Sequence, residues 1–149
     1  MSGLFYWDTS TLVKLYASEP DSPAYRALMQ ARPERPVTSF LHRVELFYAL
    51  RQKEDRGEIV AGAAARLFAE YERHLGEGRF HEISWGGDVS DAARTALDAC
   101  LAAPFLVKLR SLDGLHLGAV ISAGITLLVT TDSSMRRAAP CLGITLIDP

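Results

Sequence analysis

Four acidic residues spread along the chain, Asp8, Glu45, Asp113 and Asp132, carry the chemistry that this sequence has to offer. Asp8 closes a short apolar run, Leu4 to Trp7, and Asp132 follows a β-branched run, residues 125–130, after one further residue, Thr131. Ligands of open parallel sheets bind beyond the carboxyl ends of the strands, where strand order reverses, so these two acids face one crevice if their strands are neighbours. Glu45 lies about one turn into the helix expected after the second strand, and Asp113 opens a helix whose far end feeds residues 125–130. Both can reach the same rim. Four carboxylates in one cleft repel one another, and burial disfavours their ionisation further. A cation resolves the conflict. With oxygen ligands only, and no cysteine or paired histidine beside them, the ion expected is hard, Mg²⁺ or Mn²⁺, rather than zinc. One or two such ions stabilise charge on a phosphodiester and activate water for in-line displacement.

The elements that must position these acids alternate. Residues 4–7 read as a strand, followed by a helix to Tyr16 with Thr9 and Ser10 placed to cap it. Asp21, Ser22 and Pro23 open a second helix that runs to about Ala31, and Val37 and Thr38 form a brief strand. Apolar residues at three- and four-residue spacing predict a helix over residues 41–56, ended by Gly57, and another over residues 59–75, the two forming a hairpin. Residues 80–85 alternate as a strand, and residues 89–102 form a helix capped by Asp88 or Ser90. Pro104 breaks it. Ser111 precedes a helix over residues 112–123, and residues 125–130 make a strand covered on both faces. Ser133 or Ser134 caps a last helix to Cys141, and residues 144–147 close the chain as a strand. Strands interleaved with helices imply an α/β fold, a parallel sheet with helices on both faces. Without a linker-like stretch or repeat, the 149 residues fit a single domain, 1–149.

Composition narrows the setting. Hydrophobic residues make up 48% and charged residues 23%, the profile of a globular protein rather than a disordered one. The net charge of −2 conceals basic clusters at residues 43–56 and 108–110 and at Arg136 and Arg137, so a polyanionic partner is not excluded. Contact of Arg43, Arg51, Lys53, Arg110 and Arg136 with phosphates competes with their being a solvated charged face. The first residues lack the basic start and long apolar run of a signal peptide, and no apolar stretch approaches the ~20 residues of a membrane span. The expectation is a cytoplasmic protein. Cys100 and Cys141 lack the spacing of a zinc site and read as buried free thiols. His116, about one turn beyond Asp113, reads as a packed histidine that can also touch an acid, whereas His42, His74 and His81 receive no role. Phe68 and Tyr71 read as core or dimer surface.

The segments Tyr6-Trp7-Asp8-Thr9-Ser10, Val44-Glu45-Leu46, Arg110-Ser111-Leu112-Asp113-Gly114-Leu115-His116-Leu117 and Thr130-Thr131-Asp132 resemble, in order and spacing, the motifs of PIN-domain nucleases. In particular they are similar to those of VapC toxins from bacterial toxin–antitoxin pairs, over nearly the whole chain. The resemblance implies a three-layer α/β/α fold with a five-stranded parallel sheet of order 3-2-1-4-5. It also implies Mg²⁺- or Mn²⁺-dependent cleavage of RNA, homodimerisation, and inhibition by a small cognate antitoxin. Asp8, Glu45, Asp113 and Asp132 match the family's acidic positions, and Ser10 and Thr130 its site-ordering hydroxyls. Gly114, where alanine is more usual, and Trp7, where a smaller or aliphatic residue is more usual, depart from the pattern. Two other readings compete: a catalytically silent PIN-fold RNA-binding module, and a phosphatase with Asp8 as nucleophile. All four acids being present weighs against the first. The second lacks an acid two residues after Asp8, since Ser10 stands there.

Overall fold

Short runs of β-branched and aromatic residues, each too brief to stand alone, pair side by side into one sheet. The structure is a computed structural model and describes residues 3–149. Its strands are β1 (Leu4–Trp7), β2 (Arg35–Ser39), β3 (His81–Ile83), β4 (Leu127–Val129) and β5 (Thr145–Leu146). All neighbours are parallel, in the order β3-β2-β1-β4-β5. The chain therefore leaves β1 in one direction and returns to its other edge as β4, which puts the reversal of strand order between these two strands. Tyr6 pairs with Leu128 and Trp7 with Val129, and the Asp8 amide donates to the Val129 carbonyl at 3.0 Å. The expected neighbourhood of the two strand ends is present.

Helices α1 (Thr9–Tyr16), α2 (Ser22–Ala31), α3 (His42–Asp55), α4 (Ala63–Gly76), α5 (Gly87–Leu101), α6 (Ser111–Ser122) and α7 (Ser133–Ala138) cover both faces. Strand periodicity decides which side chain goes where. Tyr6, Val37 and Leu128 point into a core with Val89 and Ala96 of α5 and Leu117 and Val120 of α6. Phe5 and Trp7 point the other way, toward Tyr25 of α2. On that second side α1, α3 and α4 share Leu12, Leu46, Leu50, Leu67 and Tyr71, so the expected α3–α4 hairpin is packed as one layer. Trp7 is fully buried, edge-on to Phe5 and Tyr25, and its indole N–H has no partner among the described residues. Helices α5 and α6 meet closely at Gly118, where a Cβ would lie 2.6 Å from the Val89 carbonyl oxygen.

Several boundaries differ from expectation for local reasons. Helix α4 starts at Ala63 rather than residue 59, because Gly62 before it adopts a left-handed conformation, φ 83°, that a right-handed helix does not continue. The 80–85 and 125–130 runs pair only over β3 and β4, and the Ile125 amide turns back to the Val120 carbonyl at the end of α6. Pro140 halts α7, leaving residues 139–142 as a 3-10 turn. The caps also differ. Thr9 and Ser10 lie inside α1, which Asp8 precedes, and Asp132 rather than Ser133 or Ser134 caps α7 by accepting from the Met135 amide at 2.9 Å. Neither Asp88 nor Ser90 caps α5, which Gly86 precedes without a side-chain bond. Cys100 is buried, but Cys141 is only half-buried, and both thiols are free. No helix among the described residues is long and apolar enough to cross a membrane.

Candidate active site

Asp8 leaves the end of β1 with its side chain almost fully buried, 7% exposed. One carboxylate oxygen accepts from the Ser10 hydroxyl at 2.7 Å and from the Thr130 hydroxyl at 2.8 Å. Those hydroxyls accept in turn from the amides of the β4 end: Thr131 to Ser10 at 3.1 Å and Asp132 to Thr130 at 3.0 Å. Ser10 and Thr130 thus tie the ends of β1 and β4 together around Asp8. Burial pushes the Asp8 carboxyl up, but His116 with the Ser10 and Thr130 hydroxyls outweighs it, and the net direction is below the usual carboxylate range.

Glu45 stands in the first turn of α3, where the helix dipole favours its charge. It accepts from the Thr9 hydroxyl at 3.1 Å and from His116 Nε2. His116 comes from α6 on the same buried face as Asp113, and its Nε2 also lies 3.7 Å from the free oxygen of Asp8. One imidazole therefore bridges two of the four acids. Burial lowers its pKa, but the Glu45 hydrogen bond and the charge of Asp8 raise it further, for a net direction above the usual histidine value. Glu45 moves the opposite way, since its His116 and Thr9 bonds outweigh its partial burial.

Asp113 and Asp132 form the second pair, held by Arg110. The Arg110 guanidinium lies 3.1 Å from Asp113 and 3.7 Å from Asp132, and its side chain is 77% exposed. Asp113 is buried at the start of α6 and accepts from the Arg110 amide at 3.4 Å, so it both caps its helix and faces the site. The structure accordingly gathers the four acids as two pairs, with the His116 imidazole against one and the Arg110 guanidinium against the other. As they stand, no three His, Cys, Asp or Glu side chains among the described residues converge tightly enough to hold one ion. The donor chemistry nonetheless suits a hard ion, because carboxylate and hydroxyl oxygens line the reversal point and Asp8 and Asp113 are buried.

Other candidate contacts separate cleanly. Arg43 pairs with Glu82, Arg51 with Glu54, Lys53 with Glu19 and Glu58, and Arg136 with Asp148, which leaves Arg110 as the cation of that group on the acid rim. Tyr71 is a core residue, its hydroxyl donating to Thr38 at 3.0 Å, and Phe68 is half-buried against it. His74 accompanies Tyr16. His116 and Arg110 are the residues whose part in the site exceeds their sequence reading. His116, three residues after Asp113, shares its face of α6, and Arg110 stands at the N-cap of the same helix, so the sequence around Asp113 is the signal for both.

Similarity to known proteins follows this geometry. A family model described as PIN domain matches residues 5–140. Ribonuclease VapC46 of Mycobacterium tuberculosis is 34% identical over 146 residues, which span 97% of this chain and 96% of that protein. Among solved structures, M. tuberculosis VapC20, described as a sarcin-ricin loop cleaving toxin, superposes with a TM-score of 0.65 at 15% identity, covering 97% of this chain and 99% of its own. A toxin–antitoxin complex from Klebsiella pneumoniae gives 0.62 at 15% identity, covering 98% and 96%.

Proposed function

Because this chain belongs to the PIN-domain family, we propose that it is a divalent-metal-dependent endoribonuclease, the toxin of a toxin–antitoxin pair. The observation that carries this reading is the Asp8 carboxylate, buried at the junction of β1 and β4 and aimed by two hydroxyls toward a rim that holds three further acids. Asp8, Glu45, Asp113 and Asp132 would hold Mg²⁺ or Mn²⁺. The ion, when bound, supplies positive charge opposite the phosphodiester and acidifies the attacking water. The chain's own residues do the rest. Ser10 and Thr130 fix the orientation of Asp8, Thr9 and His116 fix that of Glu45, and the exposed Arg110 is free to exchange its carboxylate partners for an RNA phosphate.

Support for the biological setting comes from relatives. VapC46 is a ribonuclease by name, VapC20 is a toxin that cleaves the sarcin-ricin loop, and the Klebsiella structure pairs a toxin with its antitoxin. The partners proposed for this chain are therefore an RNA substrate, a cognate antitoxin and a second copy of itself, in the cytoplasm. Val44, Phe47 and Tyr48 expose an apolar strip along α3 suited to a protein partner. The test is RNA cleavage by the purified chain with Mn²⁺, with Mn²⁺ plus chelator, and by Asp8→Asn. Cleavage that needs the ion and is lost in the variant is expected. RNA binding without cleavage would instead favour the silent module.

A further inference from the structure

Beneath the acids, a chain of hydrogen bonds runs through the protein interior. His42 Nε2 lies 2.6 Å from the Trp7 carbonyl and so donates to it, while His42 Nδ1 accepts from the Ser39 amide at 2.9 Å. The Tyr6 hydroxyl donates to the Ser39 hydroxyl at 2.9 Å and lies 2.6 Å from His116 Nδ1. The other ring nitrogen, Nε2, faces the Glu45 carboxylate and therefore carries a proton. Tyr6, Ser39 and His42 are fully buried and His116 nearly so, at 2%. The rings of Tyr6, His42 and His116 meet edge to face in pairs.

A buried polar chain of this length is costly unless every member is satisfied, and an apolar filling of the same volume would serve stability as well. Its placement points to another use. Three of the four segments that bring an acid into the site also supply a member of the chain, the β4–α7 junction with Asp132 being the exception. β1 carries Asp8 along with Tyr6 and the Trp7 carbonyl. Helix α3 carries Glu45 and, three residues earlier, His42, and α6 carries Asp113 and, three residues later, His116.

We propose that His116 is a positioning residue for the cleavage reaction: from below it aims Glu45 at the rim, and the Tyr6–Ser39–His42 chain locks its ring to the backbone immediately before Asp8. This inference rests on the proposed metal-dependent reading. It makes the distance between Glu45 and Asp8 a property of the interior rather than of the exposed rim. Groups behind metal ligands commonly govern affinity in this way, by about 10–100-fold.

The test compares His116→Gln, which retains an N–H able to reach Glu45, with His116→Leu, which fills the space without a donor. Both are made in the full chain, and Mn²⁺ affinity is measured by calorimetry alongside kcat and KM on RNA. For His116→Leu, Mn²⁺ Kd should rise and kcat fall by about 10–100-fold with KM little changed, and His116→Gln should recover most of both. Equal losses in the two variants, or a wild-type Kd and kcat in His116→Leu, would overturn the role. Should His116→Leu not fold, Tyr6→Phe keeps the ring and removes only the hydroxyl that holds Nδ1. It should weaken Mn²⁺ binding severalfold, and an unchanged Kd refutes the proposal. Asp8→Asn serves as control. If it is inactive while His116→Leu is intact, only the positioning role falls; if it binds Mn²⁺ and cleaves normally, the metal reading falls and this inference with it.

Discussion

Arg110 Nε sits 3.1 Å from a carboxylate oxygen of Asp113, an exposed guanidinium set on a buried acid at the mouth of the site. The same guanidinium leans toward Asp132 at 3.7 Å, so it occupies the side of the rim that an incoming cation must share. A guanidinium this exposed is well screened by solvent, so Arg110 is a weak competitor that an ion can displace.

Arg110→Ala should therefore tighten Mn²⁺ binding modestly, by no more than about fivefold at low salt. The same change should raise KM for RNA by removing a phosphate contact. Calorimetry and cleavage kinetics read the two effects separately, and weaker Mn²⁺ binding would show that Arg110 supports the ion rather than competing with it.

Two glycines of α6 should respond in opposite directions to alanine. At Gly118 a Cβ would lie 2.6 Å from the Val89 carbonyl oxygen and 2.9 Å from the Ala93 amide nitrogen, backbone atoms that cannot step aside. Gly118→Ala should cost about 1–3 kcal/mol by overpacking the α5–α6 contact. At Gly114 the nearest atom is the Ala93 carbonyl oxygen at 3.9 Å, an ordinary contact, so Gly114→Ala should stabilise by about 0.4–1 kcal/mol. Urea unfolding measures both, and the sign at Gly114 decides whether that departure from the family pattern is a matter of helix propensity alone.

Burial, with the neighbouring charge of His116, pushes His42 down to about 4. The unfolded chain takes up that proton near the ordinary value of ~6.5, so in this window the unfolded state binds more protons and stability falls as pH falls. One such group contributes a slope of about 1.4 kcal/mol per pH unit. His116, raised rather than lowered, acts in the other window: its contribution is full below ~6.5 and is lost as pH rises through its folded value. Unfolding free energies of wild type and His42→Gln between pH 4.5 and 6 should diverge by the His42 slope. Parallel curves would mean that His42 is charged in the native protein.

The alternation of strands and helices and the positions of Asp8 and Asp132 are legible in the sequence, because they follow from periodicity and from an acid placed at or one residue beyond the end of an apolar run, whereas the strand order rests on the resemblance to PIN-domain nucleases. The parallel pairing of β1 with β4 makes those two acids neighbours without any further information. What was not legible depends on contacts that no local pattern encodes. His116 and Glu45 are 71 residues apart, and His42 shares no spacing with any other histidine, yet both histidines join one buried chain. The caps failed for a related reason: the Ser10 hydroxyl is engaged by Asp8, and Asp132 takes the cap of α7 from the serines that follow it.

A direct Mn²⁺ titration of the wild-type chain beside Asp8→Asn and Asp132→Asn tests the central claim that these separated carboxylates act together on one divalent site. Saturable uptake by wild type, weakened by at least about tenfold in each variant while the fold persists, is the expected result. No uptake by wild type, or undiminished uptake in both variants, would contradict the account.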